Sequence, residues 1–480
     1  MTPPAGKLNL ETLWFTYDGL NRVVIHQGAL NNGTIQLVES EYGSARQLNA
    51  GMPSGTAPFG TMGDYNAFLL NGTLREGAAA AYQNALGQRL AEGVDWVTAN
   101  AEAQGVARVA LLRQQFDNVM AVVPAFNAFK PAEVAGFGAF AEVMTAAFLS
   151  RDVYFTQSIP QLVPAGYRRL TTAAELGAFG LLPERMQDAT SGYFSGLYAS
   201  NRGGMTYYVN RGTDFTHLND WANNLIQAAG YVSPQYENAI ENARAVRSRV
   251  DLTDLRFVGH SLGGGLAAAQ ALVVGGQGIT FNAAGLHPNT VSRHGVSLIN
   301  AGRHVQAISV QDEALTLLQE GGGWRVLDGG LATAQVSHTL NEWMGRGDEM
   351  DAYLRLGVAQ GEFGRVMTPA MRQAGLSTTE VESLLGDLRG VVKNLPIAAG
   401  RRIDIAAVGP LSQFGFDRYG RDGAAYRITP APVLGQRDRL VSSLAQHGMD
   451  HVIGALVNHY PNGFNLDGIL NQISIFGGRR

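Results

Sequence analysis

The 480-residue sequence contains no cysteine. This absence excludes disulfide bonds, thiolate metal ligands and a cysteine nucleophile. It leaves the redox compartment open, because a chain without thiols suits both reducing and oxidising surroundings. The histidines are scattered and no Asp-rich loop has metal-ligand spacing, so neither a metal nor another cofactor is expected.

Charge is also scarce. Only 16% of the residues are charged, the net charge is −4, and no long run of Lys or Arg occurs. This balance argues against a nucleic-acid partner. Apolar residues make up 45% of the chain, which is enough to bury a large core. A chain of this length predicts two or three folding units.

Long apolar runs are missing as well. No uncharged apolar stretch reaches the length of about 18 residues that a membrane-spanning helix needs. The nearest candidate, residues 134–149, contains Glu142 and predicts a buried or amphipathic helix. Residues 1–15 lack the basic start and apolar run of a Sec signal peptide. If the protein leaves its cell, we expect a route that needs no such signal.

Three regions differ in their patterning. Residues 1–70 predict β-hairpins, with turns at Asp18-Gly19 and Asn32-Gly33, and Tyr17-Asp18-Gly19 resembles a single YD (Rhs-type) repeat. Residues 71–140 have helical spacing, broken by Pro124 and Pro131. Residues 141–480 predict one further domain with an insertion at about 325–440.

Within that domain, apolar strands alternate with helices. This order predicts an α/β fold with a mostly parallel sheet. The predicted strands are residues 205–209, 255–259, 278–282, 304–311 and 402–408. The predicted helices are residues 221–229, 262–274, 340–356, 379–392 and 451–457.

The strongest motif is Gly-His-Ser-Leu-Gly at residues 259–263, placed between a short apolar strand and an Ala/Leu-rich helix. This is the context of a nucleophile elbow, in which the turn is too tight for a side chain at Gly259 or Gly263. The turn is expected to expose the Ser261 hydroxyl at the positive end of the helix. The motif therefore predicts an α/β-hydrolase with Ser261 as its nucleophile, and His260 beside it is expected to be structural.

A serine nucleophile needs a base, and the base needs an orienting acid. In this fold the acid follows a later strand and the histidine follows the acid. Asp312, at the end of the strand predicted at 304–311, is the expected acid; Glu313 and Asp328 are its rivals. His447, in a loop before a helix, is the expected base, with His451 and His338 as alternatives.

The oxyanion hole requires two donors aimed at the developing negative charge. The backbone N–H of Leu262, which follows the nucleophile, supplies the first. Thr213, in the loop after the strand predicted at 205–209, is expected to supply the second through its N–H and hydroxyl. A plain turn with Thr213 as a helix cap is the alternative interpretation.

These blocks resemble a known group. Asn210-Arg211-Gly212-Thr213 and Gly259-His260-Ser261-Leu262-Gly263-Gly264 resemble signature blocks of the class 3 lipases. The segments at 280–286, 315–319 and 447–450 (TFNAAGL, LTLLQ and HGMD) are similar to secreted bacterial phospholipases A1 of the Yersinia type. The similarity spans roughly residues 145–460.

The resemblance implies a Ser261–Asp312–His447 triad, an oxyanion hole at Thr213 and Leu262, and hydrolysis of acyl esters of membrane phospholipids. It also suggests an effector or toxin made in the bacterial cytoplasm and exported without a Sec signal, for example by type VI secretion. Such an effector would have a secretion adaptor and a cognate immunity protein. A triacylglycerol lipase or general carboxylesterase is the alternative enzyme, and an inactive binding or shell protein is the alternative from another class.

Overall fold

The computed structural model describes residues 13–17, 23–31, 34–40, 47–49, 72–129, 137–201, 203–212, 226–311, 313–319, 362–386, 391, 395–405, 417–419, 425–427 and 447–459. The chain divides into two compact units. The first unit comprises residues 1–165, 406–433 and 453–480, and the second comprises residues 166–405 and 434–452. The boundary expected near residue 140 stays a prediction.

In the first unit, four short strands form an antiparallel sheet in chain order. They are β1 (Leu13–Tyr17), β2 (Val23–Asn31), β3 (Thr34–Ser40) and β4 (Gln47–Asn49). The β1–β2 and β2–β3 connections coincide with the predicted turns at Asp18-Gly19 and Asn32-Gly33, which themselves lie outside the described residues.

The same unit contains α1 (Gly72–Ala91), α2 (Trp96–Phe129) and α3 (Phe137–Asp152). A partly buried ion pair joins α1 and α2, since Arg89 binds Glu102 through two nitrogens at 2.8 and 2.9 Å. The predicted break at Pro124 is wrong, because α2 continues through it. A proline removes one helical N–H donor, a loss that a 34-residue helix can accommodate. No described helix has the length and apolarity needed to cross a membrane.

The second unit is built on a larger sheet of eight strands among the described residues. Strands β8 to β12 are parallel, and β5, β6 and β7 extend one edge in antiparallel fashion. The spatial order is β12-β11-β10-β9-β8-β7-β5, with β6 paired to β7. The strands are β5 (Tyr167–Leu170), β6 (Gln187–Asp188), β7 (Tyr193–Ser200), β8 (Thr206–Asn210), β9 (Leu255–His260), β10 (Gln277–Phe281), β11 (Val305–Val310) and β12 (Arg401–Ile405). Outside this sheet, the first unit also has the hairpin β13 (Asp417–Tyr419) and β14 (Ala425–Arg427).

Helices separate and follow these strands along the chain. They are α4 (Ala173–Ala178), α5 (Pro183–Met186), α6 (Pro234–Arg247), α7 (Leu262–Val274), α8 (Pro288–Ser292), α9 (Ala301–His304), α10 (Ala314–Gln319), α11 (Glu362–Gln373) and α12 (Thr378–Gly386), with α13 (Met449–His459) near the end of the described chain. Helix α7 is buried along most of its length, because its alanines and glycines let it pack closely against the sheet and α6.

The predicted α/β fold is confirmed. Helix α7 has the predicted bounds, and the predicted strands of the parallel sheet match β8 to β12 to within three residues at each end. The helix predicted at 379–392 matches α12 as far as Gly386, and residues 387–390 lie outside the described residues. The helix predicted at 340–356 lies outside the described residues. Parallel strands bring their carboxyl ends to one edge of the sheet, and that edge holds the candidate site.

Candidate active site

Ser261 occupies a strained turn between β9 and α7. Its φ of 55° and ψ of −127° lie in a region that residues with side chains rarely adopt. The turn is held by backbone hydrogen bonds: Ser261 N–H donates to Phe281 O at 3.0 Å, and the Ser261 carbonyl accepts from Gly264 at 2.9 Å, Gly265 at 3.3 Å and Ala284 at 2.8 Å. The surrounding backbone therefore fixes the direction of the serine side chain.

The His447 ring lies between Ser261 and an acidic side chain. Its Nε2 is 2.9 Å from Ser261 Oγ, and its Nδ1 is 2.7 Å from Glu313 Oε2. An ionised carboxylate only accepts hydrogen bonds, so Nδ1 carries the proton and Nε2 presents its lone pair to the serine hydroxyl. This is the tautomer that a general base for Ser261 requires.

All three side chains are buried. The exposed fractions are 5% for Ser261, 7% for His447 and 0% for Glu313. The sequence predicted an exposed hydroxyl at Ser261, and this expectation is wrong because the His447 ring lies against it. Burial strengthens the hydrogen bonds of the three residues, since little water competes for them.

The acid that meets His447 is Glu313, which the sequence offered as the rival of the expected Asp312. Asp312 lies outside the described residues. Strand β11 ends at Val310, and one short turn later Glu313 N–H donates to the Val310 carbonyl at 3.3 Å. That turn directs the Glu313 side chain to His447, and Nδ1 has a single proton to donate to one carboxylate.

Glu313 also receives the first backbone donors of α10. Its Oε2 accepts from Leu315 N–H at 2.9 Å and its Oε1 from Thr316 N–H at 2.5 Å. Burial of the carboxylate opposes its ionisation, yet the charge of His447 when its imidazole is protonated, the hydrogen bond from His447 and the bonds from Thr316 and Leu315 hold the pKa of Glu313 below its usual range. Glu313 is therefore a fixed negative charge beside His447.

Of the two expected oxyanion donors, the structure describes Leu262. Leu262 is the first residue of α7, where a backbone N–H has no acceptor within the helix. Thr213 lies outside the described residues. The chain that leads to Thr213 passes through Asn210 and Arg211, whose backbone packs closely on Gly263. A Cβ added to Gly263 would lie 2.3 Å from the Asn210 carbonyl oxygen. Asn210 and the start of α7 are therefore adjacent.

A buried hydrogen-bond network fixes Asn210 at the end of β8. Its Nδ2 donates to Gln270 Oε1 of α7 at 2.6 Å, and its Oδ1 accepts from Tyr193 Oη at 3.2 Å. Gln270 Nε2 donates in turn to the Ala239 carbonyl at 2.8 Å. The network ties β8, the strand that precedes Thr213 in the chain, to the helix that follows Ser261.

Of the remaining candidates, the structure describes one. His338 and Asp328 lie outside the described residues, and His451 lies one turn along α13 from His447. Within the described ranges, no group of three or more acidic or imidazole side chains is placed to hold a metal ion.

Two comparisons show similarity to known phospholipases. Residues 145–351 match the family described as "Phospholipase-like: Tle-like phospholipase domain". The chain is also 37% identical over 179 residues to the extracellular phospholipase A1 of Serratia liquefaciens. The aligned region covers 36% of this chain and 53% of the Serratia protein. The chain thus spans about half the length of that relative. The resemblance to phospholipases is confirmed, and the segment that matches the phospholipase-like family includes Ser261 and Glu313.

Proposed function

We propose that the protein is a serine ester hydrolase that releases fatty acids from membrane phospholipids, as a phospholipase A1 does. The observation that carries the proposal is the continuous hydrogen-bonded series from Ser261 Oγ through His447 to Glu313, at 2.9 and 2.7 Å. A nucleophile, a base and an orienting acid in that order are the requirements of acyl transfer through a serine. The phospholipase-like domain and the Serratia relative favour phospholipid as the ester.

The first half of the reaction forms an acyl-enzyme. Ser261 Oγ attacks the acyl carbonyl carbon while His447 Nε2 takes the hydroxyl proton, and Glu313 stabilises the resulting imidazolium. The oxyanion accepts hydrogen bonds from the Leu262 N–H and from Thr213, each such donor being worth about 10²–10³ in turnover. The carbon–oxygen bond to the glycerol then breaks, and His447 gives its proton to the departing lysophospholipid alkoxide.

The second half returns the enzyme to its starting state. A water molecule attacks the acyl-enzyme carbonyl, and His447 takes one of its protons. The bond to Ser261 Oγ breaks, the serine regains its proton from His447, and the fatty acid leaves. No step needs a group that Ser261, His447, Glu313, the oxyanion donors and water do not supply.

The first experiment separates a catalytic serine from an incidental one. Ser261→Ala should reduce hydrolysis of phospholipid vesicles by at least about 10⁴-fold without unfolding the protein. Ser292→Ala, a matched removal of an exposed hydroxyl whose Oγ binds only the nearby Asn289 carbonyl, should keep full activity. A fluorophosphonate probe should label the wild type and Ser292→Ala but not Ser261→Ala. Undiminished hydrolysis by Ser261→Ala would refute the proposal.

The second experiment identifies the ester. Wild-type enzyme is given a phospholipid with different fatty acids at the first and second glycerol positions, and the lysophospholipid is identified by mass spectrometry. A phospholipase A1 releases the acyl chain of the first position. Preference for triacylglycerol, or equal turnover of dispersed and vesicle-bound esters, would favour the lipase or carboxylesterase alternatives.

We further propose that the enzyme acts as a secreted antibacterial or host-directed effector, with a secretion adaptor and an immunity protein as partners. The support is the phospholipase-like domain, whose substrate forms the boundary of every cell. Directing the wild-type protein into a bacterial periplasm should stop growth, and Ser261→Ala should not. Normal growth with active wild-type enzyme in the periplasm would contradict the effector role.

A further inference from the structure

The peptide carbonyl of His447 is bound by two side chains that take no part in the reaction described above. His260 Nε2 lies 2.6 Å from this oxygen, and Asn282 Nδ2 donates to it at 3.1 Å. Both contacts are buried. A carbonyl oxygen has two lone pairs, so this pair of donors satisfies the group completely.

His260 is the residue immediately before the nucleophile and the last residue of β9. Because a carbonyl oxygen only accepts, Nε2 of His260 must carry a proton to bind it. The His260 ring also packs on the His447 ring, with centroids 4.8 Å apart and planes tilted by 43°. The elbow therefore holds both the nucleophile and, through His260, the backbone of the base.

Asn282 connects His447 to the strand from which the acid emerges. It follows β10 with a φ of 40°, a conformation that Asn adopts more readily than most residues. Its backbone N–H donates to Ile308 O at 2.9 Å, and its Oδ1 accepts from Val310 N–H at 2.9 Å. Both partners belong to β11, whose last residue is Val310, three positions before Glu313.

We propose that His260 and Asn282 form a carbonyl-binding pair that positions the general base. Side-chain bonds from His447 to Ser261 and Glu313 orient the ring, but they do not fix the backbone from which the ring extends. The pair holds the His447 backbone from two neighbouring strands. His260 is the last residue of β9, and Asn282 directly follows β10, which pairs with β11, the strand before Glu313. His260 and Asn282 are positioning residues, and this inference rests on the proposed function.

A matched pair of substitutions at His260 separates the donor from the ring. His260→Phe keeps a ring beside His447 and removes the N–H, whereas His260→Gln loses the ring and keeps a donor of similar reach. A displacement of a catalytic group by about 1 Å can cost about 100-fold in rate. We therefore expect kcat on a soluble short-chain ester to fall by about 10- to 100-fold in His260→Phe, with KM unchanged, and to recover largely in His260→Gln.

Asn282→Asp tests the second donor. Aspartate retains an acceptor for Val310 N–H and tolerates the positive φ, but it has no proton to give to the His447 carbonyl. The control is Asn242→Asp, which removes a buried amide donor from another carbonyl, that of Arg185 at 2.8 Å. Both variants should be less stable than the wild type in urea unfolding. When kcat is divided by the folded fraction from that measurement, only Asn282→Asp should show a reduced value.

The outcomes distinguish this inference from the proposed function. If Ser261→Ala stays active, the proposed function fails. If Ser261→Ala is inactive but His260→Phe and Asn282→Asp turn over at the wild-type kcat, only the positioning inference is overturned. The positioning inference is likewise overturned if Asn242→Asp loses as much kcat as Asn282→Asp. Should His260→Phe not fold, the comparison of Asn282→Asp with Asn242→Asp decides alone.

Discussion

Gly259 and Gly263 face each other across the nucleophile turn so closely that a Cβ built on Gly259 would lie 2.0 Å from the Gly263 carbonyl oxygen. Backbone cannot withdraw from such a contact without moving Ser261, which lies between the two glycines. The distance explains why the motif requires glycine at position 259: the space beside its Cα is occupied by the first turn of α7. The strain at Ser261 is thus maintained by packing on both sides.

Gly259→Ala should therefore destabilise the second unit and abolish esterase activity. Overpacking of a rigid core costs about 1–3 kcal/mol and occasionally more, and here the clash is with backbone, so we expect a loss at or above about 3 kcal/mol in urea unfolding. Gly177→Ala is the matched control, because nothing lies within 4 Å of the added methyl group and the residue is helical. It should be neutral or stabilising by up to about 1 kcal/mol. Equal stabilities of the two variants would contradict this explanation.

The elbow was predictable because all its determinants are local. Strand, tight turn, Gly259, Gly263 and the alanine-rich helix lie within about twenty consecutive positions, and their packing is a property of that segment. The alternation of strands and helices likewise sufficed for the parallel sheet, since right-handed connections leave few other arrangements.

The identity of the acid was not predictable in the same way. Asp312 and Glu313 are adjacent, and the choice depends on how the chain turns after Val310 and on which side chain reaches His447, 134 positions away. One signal was available: Glu313 directly precedes the segment Ala314–Gln319, where a side-chain acceptor can bind the first N–H groups of a helix. The roles of His260 and Asn282 depend on the backbone of His447 and leave no pattern in the sequence.

Neutral substitutions at the two acids test which of them orients His447. Glu313→Gln keeps the shape of the side chain but removes the charge that stabilises the His447 imidazolium and selects its tautomer. By analogy with amide substitution of a triad acid, kcat should fall by about 10³–10⁴-fold. Asp312→Asn removes the same charge one position earlier and should retain most of the activity. A loss confined to Asp312→Asn would restore the expectation from sequence.

The lowered pKa of Glu313 gives stability a defined dependence on pH. The ordinary pKa is 4.5, so on acidification the unfolded chain takes up this proton before the folded chain does. Ionised Glu313 therefore stabilises the fold fully above pH 4.5, and this contribution is lost as the pH falls through the lower pKa of the folded state. Urea unfolding of the wild type and Glu313→Gln should show a stability difference that shrinks below pH 4.5. Other carboxylates titrate in both proteins, so their contributions cancel in the stability difference. A stability difference that stays constant as the pH is lowered well below 4.5 would exclude the link between Glu313 ionisation and stability.

Two fully buried tyrosines of the second unit provide a final contrast. Tyr236 Oη has no hydrogen-bond partner in the part of the chain that the structure describes, and it fills the space where Gly265 of α7 has no side chain. Tyr208 Oη instead has three buried hydrogen-bond partners: Tyr193 Oη and Ser195 Oγ, each at 2.9 Å, and Asn242 Nδ2 at 3.0 Å.

Removing the two hydroxyls should consequently have different effects. Tyr208→Phe leaves its partners buried and incompletely satisfied, which costs about 1–3 kcal/mol in urea unfolding. Tyr236→Phe removes a desolvated hydroxyl that gained no hydrogen bond, so stability should be unchanged or slightly higher. Fluorophosphonate labelling of Ser261 should persist in the folded fraction of both variants, because neither hydroxyl touches the triad. A destabilisation of Tyr236→Phe as large as that of Tyr208→Phe would mean that the Tyr236 hydroxyl binds a group in solution, and the packing explanation at Gly265 would then be wrong.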